Sequence, residues 1–171
     1  LKLGEHISNL LNTKYIISTV SRDMTGIEIS SSLKNIYSIM VGIAHGLGYG
    51  DNFISVLISH SSKEMSDFIE AIHKIKRKIN HSAYLGELLV TTYSSFSRNR
   101  TFGNMIGKGY SINSAKAEMN MIVEGYYATK NASLISKKLS KKFLIIDVCH
   151  KILFENRSAN KQIRKLSKEL Y

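Results

Sequence analysis

A mainly α-helical domain, led in by one short helix and one strand, is the fold class this sequence predicts, and three observations predict it. From Ile27 onward apolar residues recur at helical spacing almost without interruption. A β-branched, apolar run bounded by polar residues, "KYIISTVSRD" (residues 14–23), stands near the N-terminus. Proline is absent, so glycines do the punctuating.

The elements follow in order. In "EHISNLLN" the residues Ile7, Leu10 and Leu11 fall at helical spacing, and the β-branched run after them reads as the strand. Leu33, Ile36, Tyr37, Met40, Val41 and Ala44 form the apolar stripe of the first long helix. Gly46, Gly48 and Gly50 end that helix, and Asp51 is the expected N-cap of the next. The second long helix carries Phe53, Val56, Leu57, Met65, Phe68, Ile72 and Ile75, with a bend expected at Ser61–Ser62. Shorter helices are expected over residues 84–89, 98–107, 114–119, 125–139, 145–154 and 158–166. Neither an internal repeat nor a low-complexity linker interrupts them. The boundary between the opening segment and the helical domain is expected near Thr25, dividing the chain into residues 1–25 and 26–171.

Composition narrows the function classes. The chain has 171 residues, 43% apolar and 22% charged, which suits one buried core and excludes a disordered polymer. No window approaches the roughly 18 unbroken apolar residues of a membrane span. The start "LKLGEHISNL" lacks an initiator methionine and a signal-peptide pattern, so the chain reads as a fragment or processed product. A single cysteine, Cys149, excludes an internal disulfide and suits a reducing cytoplasm. The net charge of +11 invites a nucleic-acid reading, but lysines outnumber arginines 18 to 6 and are spread along the chain. The clusters "KIKRK" (residues 74–78) and "KKLSKK" (residues 137–142) adjoin helical patterns and are read as solvated faces.

Few stretches carry chemistry. "GLGYG" (residues 46–50) looks like a phosphate loop, yet it closes a helix instead of joining a strand to one, so a C-cap turn is expected. The six histidines have neither the spacing nor the cysteine company of a zinc site, and no metal is expected. Cys149 and His150 sit inside the apolar run "FLIIDVCHKILF", where the thiol reads as core packing. Lys34, in the first turns of an apolar helix beside Asn35 and near Ser31 and Ser38, is either an exposed cation or a desolvated acid–base group. Glu87 and Thr91 stand one helical turn apart. In "SRNR", Ser97 is a good N-cap, so the amides of the next turn carry partial positive charge, and Arg98 adds a planar fork suited to phosphate. Asn99 can supply a further polar contact. From the residues alone, a phosphate site and a solvated turn both remain open.

Taken together, "LKNIYSIMVGIAHGLGYGDN", "LGELLVTTYSSFSRNRTFG", "GKGYSINSAKAEMNMIVEGYYATK" and "LFENRSANKQIRKL" resemble, in order and spacing, the C-terminal half of bacterial NAD(P)-dependent glycerol-3-phosphate dehydrogenases. The resemblance implies an all-helical substrate domain of the 6-phosphogluconate-dehydrogenase-like type. Residues 1–25 would be the last helix and strand of a Rossmann domain. The implied reaction is reversible reduction of dihydroxyacetone phosphate to sn-glycerol 3-phosphate for phospholipid synthesis in the cytoplasm. The cofactor is NAD(P), held mainly by a domain this sequence lacks, so the chain alone is expected to be inactive. On the resemblance Lys34 is the catalytic lysine. Glu87, Thr91, Ser97, Arg98 and Asn99 join it at the substrate, and Arg98, Ile122 and Glu124 lie at the cofactor. A homodimer is allowed; neither nucleic acid nor a membrane is an expected partner. Four positions depart from the family pattern: Glu87 replaces aspartate, Tyr84 glycine and His45 aspartate, and His60–Ser61 an arginine–glycine pair. The rival readings are a basic helical nucleic-acid module and a catalytically dead relative.

Overall fold

The computed structural model describes residues 2–170; Leu1 and Tyr171, the outer bounds of the two expected segments, lie outside the described residues. Among those described are nine α-helices and no strand. They are α1 (Lys2–Leu11), α2 (Met24–Gly46), α3 (Asp51–Ile72), α4 (Glu87–Tyr93), α5 (Arg98–Gly107), α6 (Ile112–Glu118), α7 (Glu124–Lys138), α8 (Leu144–Phe154) and α9 (Ala159–Glu169). A π-helical turn, Ser82–Gly86, runs directly into α4.

The hub is α2. Every residue from Asn35 to Ala44 is buried, because α3, α4, α5, α7 and α8 enclose it. A helix apolar on all sides has no stable place except the middle of a core. Ile36, Tyr37, Ile39, Met40 and Ile43 are fully covered, packed with Leu57, Met65 and Phe68 of α3 and Phe102 of α5. Each such side chain contributes about 1.5–3 kcal/mol relative to exposure. From the other end Ile145, Cys149 and Ile152 of α8 and Ile163 and Leu166 of α9 close the core.

Helix α2 meets α5 backbone to backbone. A Cβ on Gly42 would lie 2.1 Å from the Arg100 carbonyl oxygen, and one on Gly103 2.1 Å from that of Ile39. One turn further on, Gly46 and Gly107 face each other with the same lack of room. Only glycine permits this approach.

Several expectations need correction. Residues 14–23 form no strand: Tyr15 and Ile17 are almost wholly exposed, and Thr13 and Asn12 turn the segment with local hydrogen bonds. A single extended run has no neighbour to complete its ladder. Gly50, not Asp51, is the N-cap of α3, with Asp51 in its first turn. Helix α3 continues through Ser61 and Ser62, where the Ser61 hydroxyl donates back to the Leu57 carbonyl (2.8 Å), and it stops before Ile75. The helix expected at 84–89 is the π-turn followed by α4. The "GLGYG" turn does close α2, with Gly48 at φ +88°. Cys149 is fully buried, and burial pushes its thiol up to about 12.

Candidate active site

Three helix starts converge on one side of α2. The middle of α2, not its first turns as expected, presents Lys34 and Asn35; α4 begins with Glu87, α5 with Arg98 after its cap Ser97, and α7 with Glu124. Ser97 caps α5 by accepting the Arg100 amide (3.3 Å), the local arrangement its sequence predicts.

At the centre, the Lys34 ammonium pairs with the Glu87 carboxylate. The Lys34 side chain is only 20% exposed, whereas Glu87 is about half exposed, so the pair sits at the mouth of the site. Thr91 lies one turn beyond Glu87; its hydroxyl donates to the Glu87 carbonyl (2.7 Å) and its own carbonyl accepts the Ser38 hydroxyl (2.9 Å). Ser38 also meets the Ser97 hydroxyl at 3.0 Å, tying α2 to the cap of α5.

A second chain of contacts runs alongside. Asn99 donates to the Asn35 side-chain oxygen (3.0 Å), and Asn35 donates to Glu124 (3.1 Å). The Asn99 oxygen accepts the Gly125 amide (2.9 Å). Asn99 is buried, so its main contribution is to hold α2, α5 and α7 in register, with one amide hydrogen left over. Arg98 is 40% exposed; its guanidinium stands 3.9 Å from Glu124 and donates to the Met121 sulfur (3.2 Å). Ile122, exposed beside Met121, completes the edge. Arg100 turns instead to the Tyr93 carbonyl (3.4 Å).

The structure thus places Lys34, Glu87, Thr91 and Ser97 on one chain of contacts and Arg98, Asn99 and Glu124 on a second, the two adjoining along the main chain at Lys34–Asn35 and Ser97–Arg98, with Ile122 beside the second. Chemically it offers an ammonium beside a carboxylate, and a guanidinium fork at a helix N-terminus. Among the described residues no three His, Cys, Asp or Glu side chains stand together as a metal site, and none of the helices is long and apolar enough to cross a membrane.

Sequence reasoning missed a neighbouring cluster. Asp23 caps α2 by accepting the Gly26 amide (3.0 Å) and is held by Arg77 and by the Tyr84 hydroxyl (2.5 Å). The Arg77 hydrogen bonds, helped by Tyr84 and Gly26 against the opposing effect of burial, hold the Asp23 carboxyl down at about 2. Burial, then the adjoining carboxylate, pushes the Tyr84 phenol up to about 12. Arg77 is therefore no part of a solvated cationic face, although Lys74, Lys76 and Lys78 around it are exposed, as are Lys137, Lys138, Lys141 and Lys142. The usable signal was Asp23 three residues before Gly26, an N-cap pattern.

Residues 23–164 match the family described as NAD-dependent glycerol-3-phosphate dehydrogenase C-terminus. Glycerol-3-phosphate dehydrogenase [NAD(P)+] of Fusobacterium nucleatum is 38% identical over 166 residues, covering 96% of this chain and 49% of the relative. The corresponding protein of Chlorobium phaeobacteroides is 34% identical, covering 97% and 50%. The crystal structure of glycerol-3-phosphate dehydrogenase from Coxiella burnetii superposes with a TM-score of 0.91 at 27% identity, over 96% of this chain and 51% of that one. The chain spans about half the length of the curated relatives it matches. On these grounds, and with the helical architecture in agreement, the chain belongs to the C-terminal domain family of NAD-dependent glycerol-3-phosphate dehydrogenases.

Proposed function

We propose that this chain is the substrate-holding and proton-supplying half of an enzyme that interconverts dihydroxyacetone phosphate and sn-glycerol 3-phosphate, feeding phospholipid synthesis. The observation that carries the reading is the largely shielded Lys34 ammonium, paired with Glu87 on the side of α2 where Asn35 meets the first turn of α5, which bears Arg98. Reduction of a ketone leaves charge on its oxygen, and an ammonium at that oxygen stabilises the charge and then protonates it. Glu87 orients Lys34. Arg98, at the positive end of α5, takes the phosphate through two parallel hydrogen bonds.

The exposed edge formed by Arg98, Ile122 and Glu124 suits the nicotinamide end of NAD(P), with apolar and polar groups side by side. When bound, that cofactor supplies the hydride. The chain by itself is inactive under this proposal, because hydride donor and ketone are positioned together only when a nucleotide-binding half is present.

The test is a fusion of this chain to the nucleotide-binding half of the Fusobacterium nucleatum relative, assayed with NADH and dihydroxyacetone phosphate beside the chain alone. The fusion should turn over and the chain should not. Arg98→Lys in the fusion should weaken triose phosphate binding by about 1.5–3 kcal/mol, since the charge survives but the two-point geometry does not. A folded fusion that binds triose phosphate without turnover would make the chain a catalytically dead relative. Tight, salt-steep nucleic-acid binding with substrate affinity unmoved by Arg98→Lys would favour the basic-module reading.

A further inference from the structure

We infer that Tyr84, Asp23 and Arg77 form a positioning clamp that sets Glu87 against Lys34 from a distance. Asp23 and Lys34 stand eleven residues apart on and just before α2, about 16 Å at the helical rise. Between them, on the neighbouring element, runs the π-turn that ends in Glu87.

That turn is fastened at both ends and in the middle. In its middle the Tyr84 ring is buried, and its hydroxyl donates to Asp23 Oδ2 at 2.5 Å. Asp23 is itself immobilised: it accepts from the Gly26 amide, from Arg77 Nε, and from Arg77 Nη2 at 3.1 Å. Arg77 is anchored in turn by donating to the His73 carbonyl (2.7 Å), and its side chain is only 6% exposed. Near its start, Ser30 of α2 donates to the Ala83 carbonyl (3.3 Å). At its end the Glu87 amide bonds the carbonyls of Ser82 and Tyr84, and the Glu87 carboxylate meets Lys34.

A π-turn is a rare, single-turn conformation, and neighbouring contacts that fix it in place are what to look for around it. Here the support is a buried carboxylate shared by a guanidinium, a phenol and a helix N-terminus, and hydrogen bonds to charged groups are the strong ones. Glu87 has more than half of its side chain in solvent and few contacts to fix it besides Lys34. Its placement therefore depends on the main chain of residues 82–86, and that main chain depends on Tyr84. Tyr84, Asp23 and Arg77 are positioning residues; they act on Lys34 through Glu87.

The catalytic consequence rests on the function proposed above, but the test begins with a readout that does not. Trace acetylation of this chain by acetic anhydride, read by mass spectrometry, reports how well Glu87 shields the Lys34 ammonium, with exposed Lys130 as internal standard. Tyr84→Phe keeps the ring and removes the hydroxyl; it should raise Lys34 labelling about fivefold, the factor that one hydrogen bond of ordinary net strength represents. Glu87→Gln should raise it as much, and Tyr84→Phe added to Glu87→Gln should raise it no further. Asp23→Asn retains a good N-cap and removes the charge, so it should behave like Tyr84→Phe and carries the test if that variant misfolds by circular dichroism. Labelling unchanged in Tyr84→Phe, or raised equally in the presence and absence of Glu87, overturns the clamp. In the fusion enzyme Tyr84→Phe should then lower kcat while leaving KM for dihydroxyacetone phosphate in place. A wild-type fusion without turnover, together with coupled labelling, would sink the function and leave the clamp standing.

Discussion

Lys34 owes its character to one neighbour and one location. It sits on a helix whose next ten residues are all buried, yet its own nitrogen reaches the rim and meets Glu87. Lys34→Met keeps the apolar stem and removes the proton, so in the fusion enzyme kcat should fall by about 10²-fold or more, the usual scale for losing a general acid. Near-wild-type kcat would reduce Lys34 to a surface cation. Glu64 is the opposite kind of residue, structural and remote from the site. It accepts the amides of Ile145 (2.8 Å) and Ile146 (3.1 Å) at the start of α8, and burial lifts its carboxyl from the ordinary 4.5 to about 7. The folded state thus holds that proton more tightly than the unfolded state. The stabilisation is present below pH 4.5 and is lost as pH rises through 7. Melting temperatures of wild type and Glu64→Gln should diverge over that window, wild type falling relative to the variant; a difference that does not vary with pH would reject the assignment. The Ser97 cap was legible in the sequence because a cap is local, whereas the residues alone left Lys34 open between an exposed cation and an acid–base group because its partner Glu87 lies 53 residues away. Arg77 was not legible, since its partner Asp23 lies 54 residues away and its neighbours in sequence are free lysines.

Among the elements, the helices were largely readable and their companions were not. The stripe from Leu33 to Ala44 announces α2, and Ser97 announces the start of α5. The "KYIISTVSRD" run has strand propensity, but a strand exists only as one of a pair, and among the described residues no second strand supplies the other. The π-turn was hidden because its cause is the clamp on Tyr84, not its composition. Packing between α2 and α5 gives the sharpest test at this scale. Gly42→Ala or Gly103→Ala puts a methyl 2.1 Å from a backbone oxygen that no rotamer change can move aside. Either should destabilise the chain by about 3 kcal/mol or more, at or beyond the upper end for overpacking, read by urea unfolding. A loss under 1 kcal/mol would mean that the helices can separate freely.

Over the whole molecule, residues 2–170 divide unevenly. Helix α1 buries no residue, and Leu3, Leu10 and Leu11 stand open on its surface, while everything from Asp23 onward is organised around α2. We propose that the domain boundary falls here, just ahead of the helical unit. Removing residues 1–22 while keeping Asp23 as the cap of α2 should leave the cooperative melt and helical circular dichroism of the remainder essentially unchanged. A chain that no longer folds would show that α1 belongs to the domain. The crossing of α2 and α5 has one more effect. Lys34 and Asn35 ride on one of these helices, Ser97, Arg98 and Asn99 on the other, and the gap between them is gauged by main-chain atoms that every sequence shares. A side chain away from the crossing takes no part in those main-chain contacts. As long as Gly42, Gly46, Gly103 and Gly107 stay in place, the distance between the cation on one helix and the cation on the other is a property of the backbone and not of the side chains around it.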